Sequence, residues 1–304
     1  MNVFTFIFVV CLYALYHVFE AYTDISVERQ LAVSAVLILA FGIPHGAIDH
    51  VLFFKKNTVS QLKFYGAYLG LILLFLVGWI VEPLWSFVFF LVLSAFHFGE
   101  SQLNDLKLKR AFLRPVVFLT WGLTLLLTLI YYNTEELIGY TGFFNDTAVF
   151  QAVYQYEFLY EAFIALNALT VGMLFVFIKK GCFDWNRLGG ELFLLALIHL
   201  TFFLFPFIIG FTMYFVVLHS LRVMSQEFQF LKNEEEPFSM RDFLRLLMPY
   251  SLLSVFFTVV TFWLSWIEFI PISIPLLALI IISTITLPHA VVMHLFYKQS
   301  DEVG

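Results

Sequence analysis

Charge is what this chain has least of. Charged residues are 12% of its 304 positions against 62% hydrophobic ones, and the mean hydropathy is +0.92. A water-soluble domain of this length cannot hide so much apolar surface, so lipid has to cover much of it. Cysteine is nearly missing as well. Cys11 lies in an apolar segment and Cys182 in a basic loop, which makes a disulfide improbable and excludes a thiolate metal cage. No Ser-His-Asp or Cys-His arrangement stands at usable spacing, so a protein nucleophile is not expected. The net charge of -6 gives no electrostatic reason for a nucleic-acid partner. No basic n-region and no small-residue cleavage site precede the charged stretch from Glu20 to Arg29, so the run from Val3 to Val18 reads as a retained anchor.

What is there is an all-α, polytopic integral membrane bundle, read as one transmembrane domain over residues 1–304. Cutting the sequence into stretches of about 17 to 25 residues, the length that crosses a bilayer core, yields ten spans: 3–19, 30–52, 64–81, 84–101, 113–132, 154–178, 188–204, 207–224, 246–267 and 272–297. Only Glu82-Pro83 and Phe205-Pro206 divide two of these pairs, and each pair has a re-entrant hairpin as its alternative, which lowers the count to eight. The stretch from Asn133 to Phe150 is the longest external connection, with room for a short surface helix. Lys55, Lys56, Lys63, Lys107, Lys109, Arg110, Arg114, Lys179, Lys180, Arg187, Arg222, Lys232, Arg241, Arg245 and Lys298 all fall on one side of this division, and only Arg29 falls on the other. Basic residues collect in short cytoplasmic loops, which predicts an inner-membrane protein with both termini in the cytoplasm. The acidic stretch Glu234-Glu235-Glu236, in the loop from Gln226 to Met240, reads as a solvated connection.

Six of the eight histidines lie inside apolar segments, in the motifs Pro44-His45-Gly46-Ala47-Ile48-Asp49-His50, Phe96-His97-Phe98-Gly99-Glu100, Leu218-His219-Ser220-Leu221-Arg222 and Pro288-His289-Ala290-Val291-Val292-Met293-His294. A single intramembrane histidine has a bland use, a hydrogen bond to a neighbouring helix. Four helices carrying one each are another matter. Spans two, four, eight and ten run inward, and His45, His97, His219 and His289 fall in their inner halves, which predicts one shared site. His17 and His199 sit near the outer ends of oppositely directed helices and are set aside. Imidazole is the commonest metal ligand among side chains, and four neutral rings suit Fe(II), copper or zinc. Asp49 and Glu100, on the faces of His45 and His97, are candidate acceptors for the imidazole N–H groups or direct ligands. His50 and His294 lie nearer the cytoplasmic interface and read as neighbours, with a second metal site as the sharper alternative. A proton or ion pathway through a transporter is the other shared use of such groups. A bis-histidine haem protein is a further rival, and a di-iron desaturase is disfavoured because the H-x-x-H-H pattern is lacking.

Gly42-Ile43-Pro44-His45-Gly46-Ala47-Ile48-Asp49 resembles the G-[IL]-P-H-G-A-x-D signature of the Brp/Blh family of bacterial and archaeal β-carotene 15,15'-dioxygenases. His97-Phe98-Gly99 resembles its H-F-G motif, His219-Ser220 begins its H-S-x-R-H motif, and Thr286-Leu287-Pro288-His289 is similar to its T-[VL]-P-H. The motifs occur in family order from 42 to 289. The resemblance implies a membrane enzyme that uses Fe(II) and O2 to split the central double bond of β-carotene into two molecules of retinal, with a functional link to a retinal-binding rhodopsin. Carotenoid, O2 and membrane lipid are then its partners, and an apolar tunnel between helices is expected. The family's proposed iron ligands match His45, His97 and His219. Its fourth, at the end of the third motif, is Val223 here, and His289 is the natural substitute by depth.

Overall fold

The computed structural model describes residues 2–21, 25–106, 112–154, 159–234 and 237–302, with side chains as far as Lys298. Helix makes up 87% of it, and no strand occurs among the described residues. Among the described residues, ten helices are long and apolar enough to cross a membrane: α1 (Val3–Ala21), α2 (Val27–Lys56), α3 (Gln61–Val81), α4 (Pro83–Leu103), α5 (Leu113–Tyr132), α6 (Leu159–Lys179), α7 (Trp185–Leu204), α8 (Phe207–Glu234), α9 (Met240–Trp266) and α10 (Ile274–Lys298). The two doubtful pairs are full helices. α3 and α4 have 21 residues each, and α7 and α8 have 20 and 28, too long for re-entrant hairpin arms. Pro83 opens α4 at a position where its missing N–H costs nothing.

The largest departures from the expected bounds are at the end of α8 and the start of α9, and the expected start of α6 at 154 runs into residues 155–158, outside the described ones. α8 runs past 224 to Glu234, so the loop read as solvated from Gln226 is helical as far as Glu234. Its residues Val223, Glu227 and Leu231 recur every fourth position on a buried face, a period that the interleaved charges mask in a hydropathy reading. α9 starts at Met240 because Ser239 and Asp242 form a reciprocal capping box. Lys107, Lys109, Arg110, Asp24, Glu235 and Glu236 lie outside the described residues.

Burial separates an inner from an outer set. α4, α5, α8 and α10 bury 50–61% of their most apolar stretch, whereas α1, α2, α3, α6 and α9 bury 17%. The outer helices expose side chains such as Leu62, Ile80 and Leu252, as lipid-facing surfaces do. α4 and α5 meet backbone to backbone: a Cβ on Gly99 would collide with the Phe118 carbonyl, and one on Gly122 with that of Ala95. The glycine of the His97-Phe98-Gly99 motif is therefore a packing requirement. α10 is tied to α3 by Trp79 Nε1–H donating to Ser283 Oγ at 2.9 Å. The 133–150 connection folds as a short helix, Thr134–Phe143, and a 3-10 turn, Ala148–Phe150. Two of its acids anchor inner helices. Glu136 Oε2 accepts the Phe207 N–H that opens α8, at 2.6 Å, and Asp146 Oδ2 accepts the Ser273 N–H just ahead of α10, at 2.8 Å, each neutralising a donor left over at a helix start. Burial and the adjacent Glu136 push the Tyr140 hydroxyl upward from its ordinary value, so it remains a donor to that carboxylate.

Helical regularity fails where the histidines are. α2 passes through a π-helical turn, Ile38–Gly42, into a 3-10 turn, Ile43–Gly46, before regular helix resumes at Asp49. α8 is π-helical from Tyr214 to Ser220, and α10 carries Pro288 inside it, which frees the carbonyl of the preceding turn. Such insertions re-aim side chains that a continuous helix would spread around its axis.

Candidate metal centre

Four rings close a circuit. His45 lies with its ring centroid 4.7 Å from His289 and 5.3 Å from His219, and His97 lies 5.0 Å from His289 and 4.9 Å from His219. Each ring stands at 80–87° to both of its neighbours. Ligand nitrogens of His45, His97 and His289 come within 4.8 Å of one another, and His219 closes the fourth side. They arrive on α2, α4, α8 and α10, the four helices expected to carry them. His97, His219 and His289 are 1–3% exposed. Gly46 admits the circuit sterically, since a Cβ there would stand 3.2 Å from His289 Nδ1, and Gly42 gives way to the Phe215 ring in the same manner.

In three of the rings Nδ1 is already engaged. His45 Nδ1 pairs with the Gly42 carbonyl, His219 Nδ1 with Ser101 Oγ at 3.1 Å, and His289 Nδ1 with Asp49 Oδ1 at 2.8 Å. Buried without any partner are His219 Nε2, His289 Nε2 and both nitrogens of His97. A buried polar atom with no partner costs about 1–3 kcal/mol, and a common ligand would satisfy three of these four, one on each ring, since the two nitrogens of His97 face different directions. Outer-side His199 shows the contrast: Asn167 Oδ1 meets its Nε2 at 2.8 Å and Tyr132 its Nδ1 at 3.3 Å, and nothing is left over.

A divalent ion fits the circuit. With metal–nitrogen bonds of about 2.1 Å, a ring centroid sits roughly 3.2 Å from the ion, and neighbouring rings then fall about 4.5–5.2 Å apart, as three of these pairs do, while His45 and His219 stand slightly farther apart at 5.3 Å. A porphyrin has no room between imidazoles so spaced. All donors are imidazole nitrogens, a set shared by iron, copper and zinc.

The candidate acceptors are present but serve other rings than their helical spacing suggests. Asp49 supports His289 on α10 instead of His45, because the π and 3-10 turns break the i, i+4 relation between His45 and Asp49; its Oδ2 accepts from Tyr68 at 3.0 Å. Glu100 reaches His294 Nδ1 at 2.7 Å instead of His97. His294 is half exposed, and His50 packs edge-on to Tyr250 at 4.5 Å. Among the described residues no second group of three metal-ligating side chains forms. Val223 is fully buried among Ile48, Leu52 and Met293, in an apolar layer below the circuit. Sequence reasoning passed over Ser101 as a partner of His219, Tyr68, and the buried Glu227; a contact between helices leaves no trace in local spacing.

Residues 36–297 match the family model described as Beta-carotene 15,15'-dioxygenase. No curated protein and no solved structure matches the chain.

Proposed function

This chain belongs to the beta-carotene 15,15'-dioxygenase family, and from that premise we propose that it cleaves the central double bond of β-carotene with O2 to give two molecules of retinal, on Fe(II) held by His45, His97, His219 and His289. The observation that carries the reading is the closed circuit of four imidazoles with unpartnered buried nitrogens. When bound, the iron supplies O2 activation at positions that the four rings leave free. The chain's own residues orient and exclude. Asp49, Ser101 and the Gly42 carbonyl fix three rings through Nδ1 and direct Nε2 inward. No protein group need carry a proton, since addition of O2 across one bond and its scission account for every atom of two aldehydes.

A surface for the polyene leads to the same place. Phe207, Phe211, Phe215 and His219 stack in sequence along α8, with interplanar angles of 8°, 12° and 21°. Twelve residues of helix span about 18 Å, a length comparable to one half of β-carotene measured from its central bond. An extended half laid on this ladder brings the central carbons to the histidines, and position along a fixed groove decides which bond is cut. Substrate and product both partition into lipid, so the groove is taken to open between helices. The reading includes an inner-membrane location with cytoplasmic termini and a rhodopsin as consumer of the retinal.

The test is expression in a β-carotene-producing bacterium. Retinal formation with loss of the orange colour is expected. Full retention of β-carotene by a folded, iron-loaded protein overturns the reading.

A further inference from the structure

Glu227 lies on α8 with no exposed surface, and neither of its carboxylate oxygens has a hydrogen-bond partner. It shares a helix face with Val223 and Leu231, which pack against Ile48, Leu52 and Met293, so it points into the bundle. The order along this face is His219, Val223, Glu227, which puts Glu227 about 12 Å inward of the histidine circuit along the axis. The titratable groups close enough to interact with it are another acid, Asp49, which itself holds His289, and the Tyr297 hydroxyl. The nearby Arg222 is spent on Gln102, whose side-chain and backbone oxygens both accept from it.

Glu191 shows how this bundle treats a buried carboxylate elsewhere. It is 3% exposed, pairs with Arg187 at 3.2 Å and accepts from the Gln102 amide at 2.9 and 3.0 Å. Glu227 has none of this. A buried carboxylate without a cation is strongly disfavoured, and a divalent ion held only by neutral imidazoles carries its full charge into the low-dielectric interior. Each lacks what the other has.

We infer that Glu227, together with Asp49, is the counter-charge of the histidine cage, two carboxylates balancing one divalent cation without ligating it. The inference rests on the reading of the four histidines as a metal site. Glu227 is thus a positioning residue acting through charge, and it sets how tightly the ion is kept.

The test uses the full chain in detergent, stripped of metal and titrated with Co2+. Glu227→Gln, which keeps shape and removes charge, is expected to bind about ten- to a hundred-fold more weakly, while Glu227→Asp stays within a few-fold of wild type and Glu191→Gln leaves affinity unchanged. Metal-free Glu227→Gln is expected to melt close to the wild-type temperature, because a buried carboxyl with neither partner nor cation takes up a proton and Gln keeps its shape. Equal loss in Glu227→Gln and Glu227→Asp, or a lower metal-free melting temperature in Glu227→Gln, overturns the counter-charge. Wild-type binding with undiminished binding in Glu227→Gln overturns the role of Glu227 alone, whereas a wild type that takes up no Co2+ overturns the cage and the counter-charge with it.

Discussion

His289 depends on Asp49, which grips its Nδ1 at 2.8 Å and is itself held by Tyr68. Asp49→Asn keeps the volume but removes the charge that favours Nε2 as the lone-pair nitrogen. Metal content after desalting and retinal yield are expected to fall together, affinity by about ten- to a hundred-fold; unchanged metal content would show that His289 is not a ligand. A second expectation concerns Val223. It lies one turn inward of His219 in an apolar layer, so Val223→His does not restore metal content to His289→Ala, and restoration would place the fourth ligand at 223. At this scale the histidines themselves were legible, because their motifs and depth depend on sequence alone. Their supports were not. Asp49, Ser101 and Glu100 act across helices, where the i, i+4 rule is silent, and Glu227 sits in a stretch whose charges look solvated until α8 is seen to continue through it.

Elements bring these residues together by departing from regular helix. The ten spans follow from length and hydropathy, yet hydropathy does not register a π turn, so the re-aiming of His45 and His219 was hidden. The π turn of α8, Tyr214–Ser220, also carries Phe215 and His219, the last two rungs of the Phe207–Phe211–Phe215–His219 ladder. Truncating its middle rung should loosen substrate more than metal. Full burial of a phenylalanine is worth about 1.5–3 kcal/mol, so Phe211→Ala is expected to raise KM for β-carotene about ten-fold or more and to yield off-centre aldehydes, with metal content unchanged; Phe211→Leu stays close to wild type. An unaltered KM and product pattern removes the ladder from the substrate path. Glu136 belongs to the same scale, since its carboxylate closes the first turn of α8. Glu136→Ala is expected to cost about 0.5–2 kcal/mol, read as a lower melting temperature with the metal affinity of the folded fraction retained.

Across the whole molecule, an inner set of four helices carries three of the histidines in its most buried stretches, and α2 reaches in from the outer set through its broken turns. Asp49, Tyr68 and Ser101 lie in the halves of α2, α3 and α4 nearest the basic residues Lys55, Lys56, Lys63 and Arg114. If the basic side is cytoplasmic, the histidine circuit lies nearer the cytoplasm and the Phe207 end of the ladder nearer the outer leaflet. Two native cysteines allow this to be read directly. Cys182 stands in the basic turn between α6 and α7, partly exposed, while Cys11 lies within α1. In a Cys11→Ser background, a membrane-impermeant maleimide is expected to label Cys182 in inverted vesicles and to leave it untouched in right-side-out ones. The reverse pattern would turn the whole bundle over, moving the histidine circuit toward the outer face without altering a contact within it.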